Sequence, residues 1–147
     1  MTRLTVPLPH STFDAVMDDG AVIRLRRHGN LSAPRVIVSH GNGLAVDGYL
    51  PYWGLLLADF EVVVFDFRNC GENPVQDGPH GYDRFLIDLD AIYDAIDAEF
   101  GKKPQIGAFH SMSSRANLKY ALDGNCRLDG LIVFDPPMVP PQGHPLH

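Results

Sequence analysis

Two stretches of this chain, RVIVSH at 35–40 and EVVVFDF at 61–67, hold unbroken runs of β-branched and aromatic residues. A strand with one face in water alternates apolar and polar side chains, because successive side chains leave opposite faces of the sheet. An unbroken run asks for cover on both faces, the situation of a parallel strand inside a layered sheet. These two segments therefore predict a parallel sheet sandwiched between helices.

The segments around them supply the helices. In YDRFLIDLDAIYDAIDAEF (82–100), Phe85, Leu86, Leu89, Ile92, Tyr93, Ile96 and Phe100 fall on one stripe at helical spacing, and Asp83, Asp90, Asp94 and Asp97 lie largely off it as a solvated face. Gly101 follows at the position where a glycine ends a helix. Tyr49 to Phe60 carries Leu50, Trp53, Leu57 and Phe60 at similar spacing, with Pro51 near its start, and predicts another helix. MSSRANLKYAL (112–122) predicts a further helix ending near Gly124. PQIGAF (104–109) reads as a short strand, and LDGLIVFD (128–135) as a buried one. AVIRLRR (21–27) alternates apolar and basic residues, the pattern of a strand with one face in water, with a turn at His28-Gly29-Asn30. Strand and helix alternate along the chain, which predicts an α/β fold, a three-layer sandwich around a mostly parallel sheet.

Composition narrows the functions. With 147 residues the chain suits one domain. Its formal net charge of -6 and lack of a basic block argue against nucleic acid or an anionic membrane as partner. The two cysteines, Cys70 and Cys126, have no metal-like spacing and suggest no disulfide framework, so a reducing, cytoplasmic setting is expected, with no metal and no cofactor. Neither a secretory leader nor a membrane span is legible.

In parallel sheets chemistry gathers at the carboxyl ends of the strands. Three segments occupy those ends here: HGNG at 40–43, DFRNCGEN at 66–73 and FHSMSS at 109–114. A serine becomes a nucleophile when a base takes its proton and a tight strand-to-helix turn holds its oxygen clear. Such a turn wants small residues two before and two after the serine. Around Ser111 these positions hold Phe109, a departure, and Ser113. The other reading of Ser111 is a hydroxyl that caps a helix. The HGNG loop also reads two ways. Its backbone amides at Asn42 or Gly43 can serve as an oxyanion donor opposite Met112, or GNGLAV can begin a phosphate-binding loop with Asp66 as the ribose acid. Val46 stands where that second motif wants its third glycine. His40 is expected to organise the loop rather than to act as a base.

Taken together, HGNG, then FDFRNCGENP, then HSMSS, then LIVFDPP resemble in order the first half of an α/β-hydrolase-fold serine hydrolase, over residues 21–137. The resemblance implies Ser111 as nucleophile, Asn42 and Met112 as oxyanion amides, and structural roles for Asp66, Arg68 and Gly71. Cys70 is then a small turn residue. Gly43, Leu44 and His110 flank these groups and are candidates for substrate contact, with apolar character added by Leu44, Phe109 and Met138. The activity implied is hydrolysis of a small ester or related acyl compound through an acyl-serine intermediate.

Such folds place the acid and then the histidine after the serine. Asp135 is the acid candidate, or the opening residue of a turn before Pro136; Asp123 and Asp129 also follow the serine, and His144 and His147 lie in a proline-rich segment, 138–147, read as the start of a cap region. No histidine is assigned as base. The chain is about half the length usual for that family, so a truncated, non-catalytic domain that binds or pairs is the competing expectation. An edge left without its neighbouring strand would invite a second copy of the chain or a complementing chain.

Overall fold

The computed structural model describes residues 4–125 and 127–138. Cys126, His144 and His147 lie outside the described residues, as does all of the 138–147 segment beyond Met138. Strands β1 (Ser11–Val16), β2 (Val22–Gly29), β3 (Arg35–Ser39), β4 (Glu61–Phe65), β5 (Gln105–His110) and β6 (Gly130–Phe134) form one sheet. Their order across it is β1-β2-β4-β3-β5-β6. β4, β3, β5 and β6 run parallel, and β1 and β2 extend the sheet antiparallel at the β4 side.

Every residue of β3 and of β4 is buried, as their unbroken runs require. Alternate side chains go to opposite faces. Ile37, Val63 and Phe65 join one core with Leu89, Ile92, Tyr93 and Ile96 of helix α2 (Tyr82–Phe100) and Ala116 and Tyr120 of helix α3 (Met112–Leu122). Val36, Val38, Val62 and Val64 join a second core with Val46 and Trp53 on the other face. Helix α1 (Leu50–Trp53) lies there, flanked by 3-10 turns at Val46–Tyr49 and Gly54–Leu56. The layers are thus helices, sheet and helical segment.

The sheet differs from the sequence reading at several places. The single helix expected over Tyr49 to Phe60 is three short pieces, with Pro51 and Gly54 where it breaks and Trp53 Nε1 donating to the Val46 carbonyl at 3.0 Å. β1 was not anticipated. β2 continues through His28 and Gly29 instead of turning there. Its Arg26 does not face water, because Asp47 accepts from it at 2.6 Å and it is buried. β6, expected to be buried, is an edge strand whose Ile132, Val133 and Phe134 are exposed.

The far end of the sheet is pinned by a buried ion cluster. Glu61 Oε1 accepts from fully buried Arg35 at 2.5 Å, and Glu61 Oε2 accepts from Arg27 at 2.5 Å and Lys103 at 2.9 Å. Burial alone would raise the Glu61 carboxyl, but the hydrogen bonds from Lys103, Arg27 and Arg35 outweigh it and hold the group below the usual range.

Candidate functional site

From β3 the chain goes first to β4 on one side and then crosses to β5 on the other. The carboxyl ends of β3 and β5 therefore part at a topological switch point, where such sheets open a crevice. Two of the three segments singled out in the sequence, 40–43 and 109–114, lie at those two ends, and their strands are hydrogen-bonded neighbours with Ser39 opposite Phe109.

Ser111 sits between β5 and α3 with φ 52° and ψ -114°, a conformation L residues rarely adopt. Its main chain is held on both sides: its N-H donates to the Phe134 carbonyl at 2.8 Å and its carbonyl accepts from Arg115 N-H at 3.0 Å. Its side chain makes no capping bond to α3. The cap reading therefore fails for Ser111. Its neighbours carry the bonding instead. Ser113 Oγ donates to the His110 carbonyl at 2.9 Å, and Ser114 Oγ bonds the carbonyls of Phe109 and Phe134. Phe109 is tolerated two before the serine because its ring turns down into the core over Gly107, where a Cβ would stand 2.3 Å from it.

The 40s loop faces this turn. A Cβ on Gly41 would come within 3.1 Å of Ser111 Cβ and 2.8 Å of His110 Nδ1, so only a glycine lets the loops meet so closely. Leu44 N-H donates back to the Gly41 carbonyl at 3.3 Å, and Gly43 takes φ 73° within that turn. His40, fully buried, accepts from Phe67 N-H at Nε2 and hydrogen-bonds the Gly41 carbonyl at Nδ1, so it braces the loop. Tyr49, which nothing in the sequence marks as a site residue, hydrogen-bonds both Gly41 N-H (3.1 Å) and His110 Nδ1 (2.6 Å).

Asn42, Ser111 and Met112 line one cleft of about 680 Å³, together with Arg68, Tyr82 and Arg115. Neither the Asn42 nor the Met112 backbone N-H donates to a protein acceptor among the described residues. Gly43, Leu44 and His110 do not line it. Tyr49 turns His110 toward a smaller apolar hollow of about 230 Å³ on the other side of the elbow, and Leu44 is half exposed. Asp135, at φ 47°, is exposed just past β6 and has no hydrogen bond among the described residues. Met138 is exposed.

The 66–73 loop forms the remaining wall. Asp66 is enclosed: its Oδ1 accepts from Val46 N-H at 2.7 Å, and a Cβ on Gly71, which has φ 56°, would lie 2.1 Å from its Oδ2. Burial raises its carboxyl pKa, while the Val46 N-H, His40 and Arg26 pull the other way. Since this carboxylate is tied to the loop itself, it presents no face to a ribose. Arg68 grips Asp88 through two 2.7 Å bonds and reaches Asp19 at 2.8 Å, and its bonds to Asp88 push its pKa further up. The Cys70 thiol is raised by burial and by the Asp66 charge, which keeps it protonated and unreactive. No group of three or more metal-ligating side chains occurs among the described residues, and no helix there is long and apolar enough to cross a membrane.

Solved structures share this fold. An α/β hydrolase fold protein from Burkholderia ambifaria superposes with TM-score 0.77 at 17% identity over 98% of this chain and 50% of that one. A hydrolase from Pseudomonas aeruginosa gives 0.68 at 22% identity, over 84% and 45%. An esterase from a Rhodococcus species gives 0.70 at 21% identity, also over 84% and 45%. The chain thus spans about half the length of the structures it matches. No curated protein sequence matches it. The family model described as serine aminopeptidase, S33, matches residues 32–146, which takes in all three loops of the cleft and most of the sheet. The chain belongs to that hydrolase family and has the first half of the α/β-hydrolase fold.

Proposed function

We propose that this chain carries the nucleophile and oxyanion groups of a serine hydrolase acting on a small ester or related acyl compound. The observation that carries the reading is the hydroxyl of Ser111, without a hydrogen bond among the described residues, on a left-handed turn at the mouth of a cleft, with Gly41 pressed against it. In this reading Ser111 Oγ bonds to the acyl carbon while its proton leaves to a base. The carbonyl oxygen becomes an oxyanion that the Asn42 and Met112 N-H groups stabilise without reorganising. Collapse of this intermediate breaks the bond to the leaving alcohol, which takes up a proton. Water then attacks the acyl-serine, releasing the acid and returning a hydrogen to Oγ.

No imidazole is hydrogen-bonded to Ser111 among the described residues. That observation favours a second reading, a domain that binds acyl compounds without turning them over; an oxyanion hole alone supports only residual catalysis. A fluorophosphonate probe separates the two. The hydrolase reading expects labelling that Ser111→Ala abolishes. Absence of labelling, in a chain shown to be folded, refutes it.

A further inference from the structure

The cleft beside Ser111 does not share the charge balance of the chain. Asp and Glu number 18 against 12 Lys and Arg, yet no carboxylate side chain lines the cleft among the described residues, whereas Arg68, His80 and Arg115 do. The charge of Arg68 is already met by Asp88 and Asp19. Every other arginine among the described residues likewise has a carboxylate partner, except Arg115. Its guanidinium instead lies over the Tyr82 ring, 4.5 Å from the centroid. Asp83 and Lys119 share the adjoining hollow with it, and neither forms an ion pair with it.

Arg115 is also well aimed. It stands in the first turn of α3, four residues after Ser111, both residues line the cleft, and a helical side chain leans toward the N-terminal turn. Tyr82 holds it at both ends, with its ring under the guanidinium and its hydroxyl donating to the Arg115 carbonyl at 3.0 Å. A cation pre-positioned in this way loses little side-chain entropy when it binds an anion, and the planar fork of arginine matches a carboxylate.

The geometry points to Arg115 as a specificity-determining residue that selects acyl substrates bearing a second, anionic group, a carboxylate a few bonds from the scissile carbonyl. The inference rests on the reading of Ser111 as nucleophile. The simplest fitting compound is a half-ester of a short dicarboxylic acid, whose ester carbonyl meets Ser111 while its carboxylate meets Arg115.

The test compares monomethyl glutarate with dimethyl glutarate in an NMR titration of the full chain. The half-ester is expected to bind about tenfold tighter, as a charge-assisted hydrogen bond at a partly exposed site allows. The preference should fall with added salt, vanish in Arg115→Gln and persist in part in Arg115→Lys. Equal binding of the two esters, binding of neither, or a preference intact in Arg115→Gln overturns the inference. Should that variant not fold, a preference in the unaltered chain that salt leaves untouched overturns it as well. Fluorophosphonate labelling judges the nucleophile separately. Labelling without an ester preference sinks the role of Arg115 alone, and a preference without labelling sinks the role of Ser111 alone.

Discussion

Replacing Ser111 by glycine should make the protein more stable while removing the proposed nucleophile. The residue holds φ 52° and ψ -114°, and a non-glycine residue in so sparse a region costs roughly 1–3 kcal/mol. Glycine adopts it freely but gives up roughly 0.5–1 kcal/mol of backbone entropy on folding. Nothing else is lost, because Ser111 Oγ makes no capping bond and the main-chain bonds to Phe134 and Arg115 survive in any residue. The net expectation is a gain of about 1–2 kcal/mol. Alanine keeps the Cβ and hence the strain, so Ser111→Ala should stay within about 0.5 kcal/mol of the parent. Since about 1 kcal/mol moves Tm by roughly 2–4 °C in a domain of this size, Ser111→Gly should melt about 2–8 °C above Ser111→Ala. Both variants should fail to react with a fluorophosphonate. Urea and thermal unfolding read by Trp53 fluorescence measure the difference. If the glycine variant is no more stable than the alanine one, the turn stores no strain and the reasoning is wrong.

Gly41→Ala should do the opposite, because its Cβ would press on His110 Nδ1 and Ser111 Cβ. A loss of about 1–3 kcal/mol in urea unfolding is expected, along with slower labelling of Ser111, and a variant that labels at the parent rate contradicts the close packing of the two loops. His28 is buried against Trp53, with Nε2 lacking any hydrogen bond among the described residues, and burial followed by the Arg26 charge lowers its pKa to about 4. The folded state thus binds fewer protons than the unfolded state between about pH 6.5 and 4. Stability is full above the unfolded value and falls as pH drops through this window, by about 3 kcal/mol from this group. His28→Gln should flatten that part of the pH profile, and an unchanged slope refutes the assignment. Glu61→Gln should cost about 3–5 kcal/mol at neutral pH by leaving Arg35, Arg27 and Lys103 without their shared anion, measured as a shift in urea midpoint; a loss below about 1 kcal/mol refutes the pinning role of the cluster.

The parallel core was legible because Val36–Val38 and Val62–Phe65 cannot be mistaken for one-sided strands, and the stripe from Phe85 to Phe100 has too many periods to be anything but a helix. The loops that carry the site were legible for the same reason: strand ends locate them. What escaped was set by partners remote in sequence. β1 pairs with β2 alone, and its residues alternate too weakly to mark a strand. Arg26 looked solvent-facing because its partner Asp47 lies 21 residues further along the chain, beyond β3. The side from which His110 leaves the elbow depends on Tyr49, and the lack of a carboxylate on Arg115 stands out only once every other arginine among the described residues has found one. β6 has the composition of a buried strand, and it is indeed covered on one edge by β5; its exposure reflects what stands beyond it, which composition does not reveal.

That outermost strand is also a clamp. The Phe134 carbonyl receives the amide of Ser111, and the Phe134 amide donates to Ser114 Oγ, so the bend bearing Ser111 hangs directly from the last rung of the sheet among the described residues. Among the described residues no strand pairs with the opposite side of β6, which leaves a row of amides and carbonyls there. A polypeptide laid along that row would stiffen or tilt the rung, and the bend with it. The aim of the Ser111 hydroxyl thus depends on how firmly β6 is held, one strand's width from β5.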